Sequence, residues 1–356
     1  MPNIAIRADG GIQTGMGHII RCLALANELR NQGANVIFLS RYEEGIKKIA
    51  LEGFEICRID ISGNLTPCGY DYGSPEELRL DAEIVSKALK KNRIDAIIID
   101  TYNTTAEYFL KFQSLVKAVA YIDDTNRAIF PVDVLINGNI YAEYLKYKKY
   151  SEKGLLLLGL EYNLTRREFR DLPHKVTRNK AKEFLITSGG SDPFSICSRL
   201  VQMLANCEKM DEAIFHVVAG AGFVNLDLLL RLQENDKRIR IHHNVEKIWE
   251  LMQEVDVAIS SAGSTLYELC ACGTPALSFI MADNQVYIAE NMNKLGYIKT
   301  LGWHYQVCQE ILQERVSEIM FDPGYRAELS EKMQKLVDAK GPERAAFKIL
   351  KYLNSI

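Results

Sequence analysis

Short apolar runs rich in Val and Ile recur along the chain, each followed by a stretch whose apolar residues fall at helical spacing. In the first half the runs are residues 3–7, 35–40, 54–59, 94–100, 118–123 and 133–137. They lack polar alternation, so they predict strands buried on both faces, as in a parallel sheet. Between them, residues 19–31 and 75–91 predict helices. The second follows Ser74 and carries Glu76 and Glu77 in its first turn, where the helix dipole favours negative charge. A βα repeat of this kind builds a doubly wound layer.

A second series opens after the polar stretch 165–182. Residues 182–187, 213–218, 238–242, 256–260 and 275–280 predict strands, alternating with helical stretches at 193–206, 245–254, 265–272 and 284–294. Beyond Phe321 only helical patterns remain, 325–339 and 342–353, with Gly341 between them. The expected fold class is α/β, with two doubly wound Rossmann-like domains facing across a cleft. Residues 1–165 form the first domain and 166–335 the second. Residues 336–356 form a closing helix, with packing back onto the first domain as one option.

A chain of 356 residues suits two domains, and 47% hydrophobic with 25% charged residues is the balance of a globular protein. A formal charge of −3 leaves no basic surplus for an extended nucleic-acid footprint, so the expected partner is a small molecule. The cysteines Cys22, Cys57, Cys68, Cys197, Cys207, Cys270, Cys272 and Cys308 lie scattered in apolar contexts, without zinc-site or disulfide-scaffold spacing. They read as buried free thiols. No apolar run reaches the roughly 20 residues of a membrane span, and no cationic leader precedes one; a cytoplasmic location is expected.

Ligands of doubly wound sheets sit beyond the carboxyl ends of the strands, so the residues just after each strand are the informative ones. The first such loop, Arg7-Ala-Asp-Gly-Gly-Ile-Gln-Thr-Gly-Met-Gly-His18, lets backbone turn sharply and places His18 at a helix start, able to present a ring nitrogen to a ligand. Gly15 and Gly17 also suit a plain strand-to-helix turn capped by His18. The second loop puts Asp100 and Tyr102 just past a buried strand, where either could orient a histidine or a sugar hydroxyl; a strand-end Asp also suits a turn bonded to its own backbone. The pair Asp123-Asp124 has the same two readings. In the third loop, Thr187 to Pro193, small residues expose backbone N–H groups that could cradle a diphosphate, although the Lys of a P-loop and the dinucleotide fingerprint are both missing. The fourth, Ser260 to Glu268, sets small hydroxyl residues at a helix start with a Glu one turn on, which suits a phosphate and a ribose hydroxyl. A capping box explains Ser264 and Glu268 but not the small residues before them.

Together these loops resemble the GT-B family of sugar-nucleotide enzymes, and within it the UDP-sugar hydrolases of the pseudaminic acid pathway. The resemblance rests on Arg7, Asp9, Gly15, Gly17 and His18, on Asp100 and Tyr102, on Asp123-Asp124 and on Leu135 to Asn139. It continues through Arg167-Glu168-Phe169, Gly189 to Asp192, Glu268 and Asn284-Gln285. It therefore covers residues 1 to about 300. A more distant similarity runs to the lipid-linked N-acetylglucosaminyltransferase of peptidoglycan synthesis.

The resemblance implies hydrolysis of UDP-2,4-diacetamido-2,4,6-trideoxy-β-L-altropyranose at the C1–O bond, with inversion and without metal or other cofactor. It implies a catalytic group of His18, Asp100 and Tyr102, with His18 as base, since an imidazole ordinarily titrates near about 6.5. It implies substrate contacts from Arg7, Asp9, Gly17, Gly190, Ser191, Ser261, Ser264, Glu268, Asn284 and Gln285, with N–H groups at 189–191 and 261–264 holding the departing UDP. The alternatives are a glycosyltransferase using a UDP-sugar donor, a hydrolysing 2-epimerase, and a nucleotide-sugar binding module without turnover.

Overall fold

The computed structural model describes residues 1–11, 14–61, 74–220, 222–223, 225–243 and 245–356. Cys68, and Ile12 and Gln13 of the first glycine loop, lie outside them. The chain divides into two compact units, Met1–Arg167 with Lys340–Ile356, and Glu168–Ala339.

In the first unit the strands are β1 (Asn3–Ala8), β2 (Asn35–Ser40), β3 (Glu55–Arg58), β4 (Ala96–Asp100), β5 (Ala118–Ile122), β6 (Val134–Asn137) and β7 (Leu155–Leu158). They form one parallel sheet in the order β3-β2-β1-β4-β5-β6-β7. The order reverses between β1 and β4, and the register pairs Ala8 with Asp100, so the two strands end level at the switch point where such sheets bind ligands. The helices are α1 (Gly17–Asn31), α2 (Glu43–Leu51), α3 (Pro75–Lys91) and α4 (Ala106–Gln113). Successive side chains of a strand point to opposite faces, and here both faces are covered. Ile4, Ile6, Ile98 and Ile136 pack with Leu25 and Leu29 of α1, while Ala5, Ile97 and Ile99 pack with Val85 and Leu89 of α3 and Phe109 and Phe112 of α4. That double burial is why the strand sequences show no alternation. Ser74 caps α3 in a capping box, its hydroxyl accepting from the Glu77 amide while the Glu77 carboxylate accepts from the Ser74 amide.

The second unit repeats the plan. Its strands β8 (Glu183–Thr187), β9 (Ile214–Ala219), β10 (Ile239–His243), β11 (Val257–Ser261), β12 (Ala276–Ile280) and β13 (Lys299–Trp303) form a parallel sheet in the order β10-β9-β8-β11-β12-β13. The switch point falls between β8 and β11. Helices α5 (Ile196–Ala205), α6 (Leu226–Asn235), α7 (Ile248–Glu254), α8 (Thr265–Cys272), α9 (Val286–Lys294), α10 (Gln309–Met320) and α11 (Pro323–Leu336) complete it. Phe184, Ile186, Phe215, Val217 and Ile259 form its core with Leu200 and Leu204 of α5 and Leu312 and Val316 of α10.

The last helix, α12 (Gly341–Leu353), belongs to the first unit and lies on α1. Ala345, Ala346, Ile349 and Leu353 enter that unit's core, and the Tyr352 hydroxyl donates to Asp133 Oδ1 at 3.1 Å. Gly341 makes the entry possible: a Cβ there would lie 2.0 Å from the Asn163 carbonyl oxygen.

Several elements differ from the sequence expectation. Helix α5 starts at Ile196 rather than 193, because the Asp192 carboxylate caps the amides of Ile196 and Cys197, both at 2.9 Å. Helix α9 starts at Val286 because Asp283–Gln285 forms a separate 3₁₀ turn. Helix α11 starts two residues early, at Pro323, with Asp322 accepting from the Tyr325 amide at 2.8 Å. Strands β7 and β13 and helices α2, α4, α6 and α10 were not expected. No helix of the described residues is long and apolar enough to cross a membrane.

Candidate functional site

At the switch point of the first unit, α1 presents His18 and Arg21 to the end of β4. His18 Nδ1 lies 2.6 Å from Asp100 Oδ1. Arg21 grips the same carboxylate with two nitrogens, NH2 to Oδ1 at 2.6 Å and Nε to Oδ2 at 2.7 Å. The Cys22 thiol donates to Oδ2 at 3.3 Å. Asp100 is fully buried, which opposes ionisation, yet Arg21 and then His18 outweigh that cost and hold its carboxyl well below the usual range. An ionised Asp100 can only accept, so in the neutral His18 ring Nδ1 carries the hydrogen and Nε2 the lone pair. His18 is not a helix cap, since α1 has no side-chain cap. Nor is Asp100 a turn residue: its oxygens go to α1.

Arg21 continues to a second acid. Its NH1 donates to Asp124 Oδ2 at 2.8 Å, and Asp124 also accepts from the Tyr102 hydroxyl at 2.8 Å and the Asn139 amide at 2.8 Å. The Tyr102 ring meets His18 edge-on, with centroids 4.9 Å apart. Asp123, by contrast, is the turn residue: it accepts from the amides of Thr125 and Asn126 and from the Tyr147 hydroxyl, and burial pushes its carboxyl up. The adjacent aspartates thus do different work.

Beside His18 opens a pocket lined by Arg7, Asp9, Arg41, Tyr42, Glu77 and Asp81 among others, with Asp100 also in its wall. Arg7 is buried, and its donors are taken by Asp81, Asp9 and the Leu39 carbonyl. Asp9 accepts from the Arg41 amide at 2.8 Å, and the Tyr108 hydroxyl donates to Asp81 at 2.6 Å. Arg7 and Asp9 therefore build the wall as well as line it. The Tyr42 hydroxyl is buried there with no hydrogen-bond partner among the described residues. Gly17 opens α1, where a Cβ would meet nothing within 4 Å.

In the second unit the loop after β8 faces the start of α8. Gly189 has φ +90°, and a Cβ on it would lie 3.9 Å from both Ser261 Oγ and Thr265 Oγ1. Its amide donates to Thr187 Oγ1 at 3.1 Å, so the expectation that it points to a ligand gives way to a turn bond. The amides of Gly190 and Ser191 donate to no acceptor among the described residues. The Ser261 hydroxyl donates to the Ser188 carbonyl at 3.0 Å, tying the two loops together. Ser264 precedes α8 without capping it through its side chain, so the capping-box alternative does not hold there. Glu268 lies one turn into α8, and Asn284 and Gln285 form the turn before α9, where Gln285 Oε1 accepts from the Met281 amide at 2.9 Å.

The sequence reading did not single out Arg21, Asp81 or Arg41. Arg21 had a signal, since position i+3 from His18 shares its helix face. Asp81 had one too, as a carboxylate on the otherwise apolar face of α3.

Residues 184–344 match the glycosyltransferase family 28 C-terminal domain. The chain is 31% identical over 288 residues to an uncharacterized protein of Methanocaldococcus jannaschii, covering 77% of this chain and 54% of that protein, so it spans about half the length of that relative. It is 24% identical to a spore coat polysaccharide biosynthesis protein of Bacillus subtilis, covering 95% of each. It is 26% identical to the UDP-2,4-diacetamido-2,4,6-trideoxy-beta-L-altropyranose hydrolase of Campylobacter jejuni, covering 83% of this chain and 97% of that one. Among solved structures it is similar to MurG of Acinetobacter baumannii, with TM-score 0.69, 16% identity and coverage of 98% and 100%. It is also similar to a UDP-GlcNAc 2-epimerase of Neisseria meningitidis bound to UDP-GlcNAc, with TM-score 0.63, 13% identity and full coverage of both. The fold is GT-B-like: two Rossmann-like units, each built on a parallel sheet.

Proposed function

We propose that this chain hydrolyses a UDP-linked 2,4-diacetamido-2,4,6-trideoxyhexose to UDP and the free sugar, with inversion at C1 and without a metal. The observation that carries the reading is the His18–Asp100 pair at the switch point of the first unit. With Nδ1 committed to the carboxylate, Nε2 is free to take a proton from water, a contribution worth about 10²–10⁴ in rate. Water oxygen bonds to C1 as the C1–O bond to the diphosphate breaks, the electron pair leaving with UDP and the water proton passing to His18.

The adjoining cavity suits a sugar with polar substituents, since the Tyr42 hydroxyl has a bond to offer. In the second unit, the amides of Gly190 and Ser191 and the start of α8 at Ser264 offer donors to a diphosphate, where a helix dipole favours anions. Glu268, Asn284 and Gln285 remain as ribose or base contacts. The name of the Campylobacter relative supports the sugar chosen, and the spore coat polysaccharide relative supports sugar chemistry more broadly.

A second reading is favoured by the family 28 match: a glycosyltransferase in which the same histidine deprotonates an acceptor alcohol. Incubation with UDP-linked diacetamido trideoxyhexoses and no acceptor, with products identified by NMR, separates the two. Hydrolysis yields UDP and an inverted free sugar, whereas UDP release that waits for an acceptor makes the chain a transferase. His18→Ala and His18→Asn should abolish UDP release while UDP binding stays near wild type; substantial residual turnover removes His18 from the mechanism.

A further inference from the structure

We propose that Arg21 is a positioning residue that holds His18 in a single tautomer, by pinning Asp100 and, through Asp124, the Tyr102 ring beside it. The inference rests on the reading of His18 as the base.

A carboxylate beside an imidazole fixes its tautomer only if the carboxylate cannot rotate away. Arg21 prevents that rotation, since Nε and NH2 hold the two oxygens of Asp100 in the planar fork that guanidinium makes with carboxylate. The close approach of Arg21 NH2 to His18 Nδ1, 3.3 Å, follows from both donors sharing Oδ1. The remaining nitrogen, NH1, holds Asp124, which fixes the Tyr102 hydroxyl and so the ring edge against His18. One side chain thereby spans the ends of β4 and β5. Lysine has the charge for this but not the fork.

Charge gives the arrangement a second consequence. The groups facing His18 and Arg21 are Asp100 from β4, Tyr102 from the loop after it, Asp124 from the loop after β5, and Cys22 from α1 itself. The neutral Asn139 also lies among them. In the cavity beyond, Arg7 is balanced by Asp9 and Asp81, Arg41 lies near Glu77, and Tyr108 is bonded to Asp81. Among the described residues around the imidazole, then, one cation offsets two carboxylates. Without Arg21 the two anions stand alone and favour a protonated ring, which has no lone pair to act as base.

The test uses full-length protein with ¹⁵N-labelled histidine, in which long-range ¹H–¹⁵N correlation reads the imidazole nitrogens directly; the His18→Asn spectrum assigns the signal among the 6 histidines. In its neutral form the wild-type ring should show Nδ1–H with Nε2 unprotonated. Arg21→Met should lose that single tautomer and shift the imidazole titration upward by about one pH unit or more, with the acid limb of the pH–rate profile moving the same way and kcat falling more than KM changes. Arg21→Lys should keep the titration midpoint but show mixed tautomers and only partly recovered kcat. Thermal melting and UDP binding establish that each variant is folded. A wild-type tautomer and midpoint in Arg21→Met overturn the proposal, and if that variant does not fold, a wild-type tautomer in Arg21→Lys does so. Because the tautomer is read without turnover, a chain showing the expected spectra but releasing no UDP would fail the hydrolase reading and leave this one standing.

Discussion

Asp100 Oδ1 and His18 Nδ1 are 2.6 Å apart, and the carboxylate that makes this contact is fully buried. The pair joins the end of β4 to the start of α1, so it depends on the parallel register of β1 and β4 rather than on any local turn.

Asp100→Asn keeps the shape but replaces one acceptor oxygen with a donor amide, and removes the anion that selects Nδ1–H. On the proposed reading, kcat for UDP release falls by about 10²–10⁴ with KM little changed. Arg21 also loses a buried anionic partner, so unfolding free energy falls by roughly 3–5 kcal/mol, measurable by urea titration. A variant with wild-type kcat would show that the dyad does not serve the chemistry.

In the second unit, Gly189→Ala has room for its methyl group but must hold a positive φ, at a cost of about 1–3 kcal/mol. If the loop relieves that strain by shifting, the amides of Gly190 and Ser191 move with it. Calorimetry should then show weaker UDP binding, by up to about tenfold, and the His18 NMR signals should stay put. Unchanged UDP affinity would take this loop out of the diphosphate site.

How much of this was readable beforehand follows from the range of the interactions. Strand β2 and helix α3 fall where periodicity put them, because burial of both sheet faces and the Ser74 capping box leave a direct mark. Strand β7 is a four-residue leucine run at the sheet edge, too short to separate from a helical segment by pattern. Strand β13 is masked by Gly302 and by a register irregularity opposite Ser278 and Ile280. In the site, the proximity of Asp100 to a histidine at a glycine-loop helix start is what a doubly wound sheet provides. The part played by Arg21 is different: its acids lie 79 and 103 residues away, and no local spacing announces that pairing.

Lys175 gives a prediction independent of any catalytic reading. Its ammonium is largely buried, donating to the Gln253 carbonyl at 2.6 Å and the Met252 carbonyl at the end of α7, and burial lowers its pKa from 10.5 to about 8. The unfolded chain therefore binds more protons than the folded one between those values, and stability should rise with pH across that window. The contribution is fully present above the unfolded value of about 10.5 and is lost as pH falls through about 8, with a ceiling of about 3 kcal/mol. Cysteines and tyrosines also titrate there, so the measurement is a difference: urea unfolding of wild type and Lys175→Met at a series of pH values across the window. The wild-type curve should climb relative to the variant's as pH rises, because methionine carries no proton to release. Parallel curves would mean that Lys175 keeps its ordinary affinity for the proton.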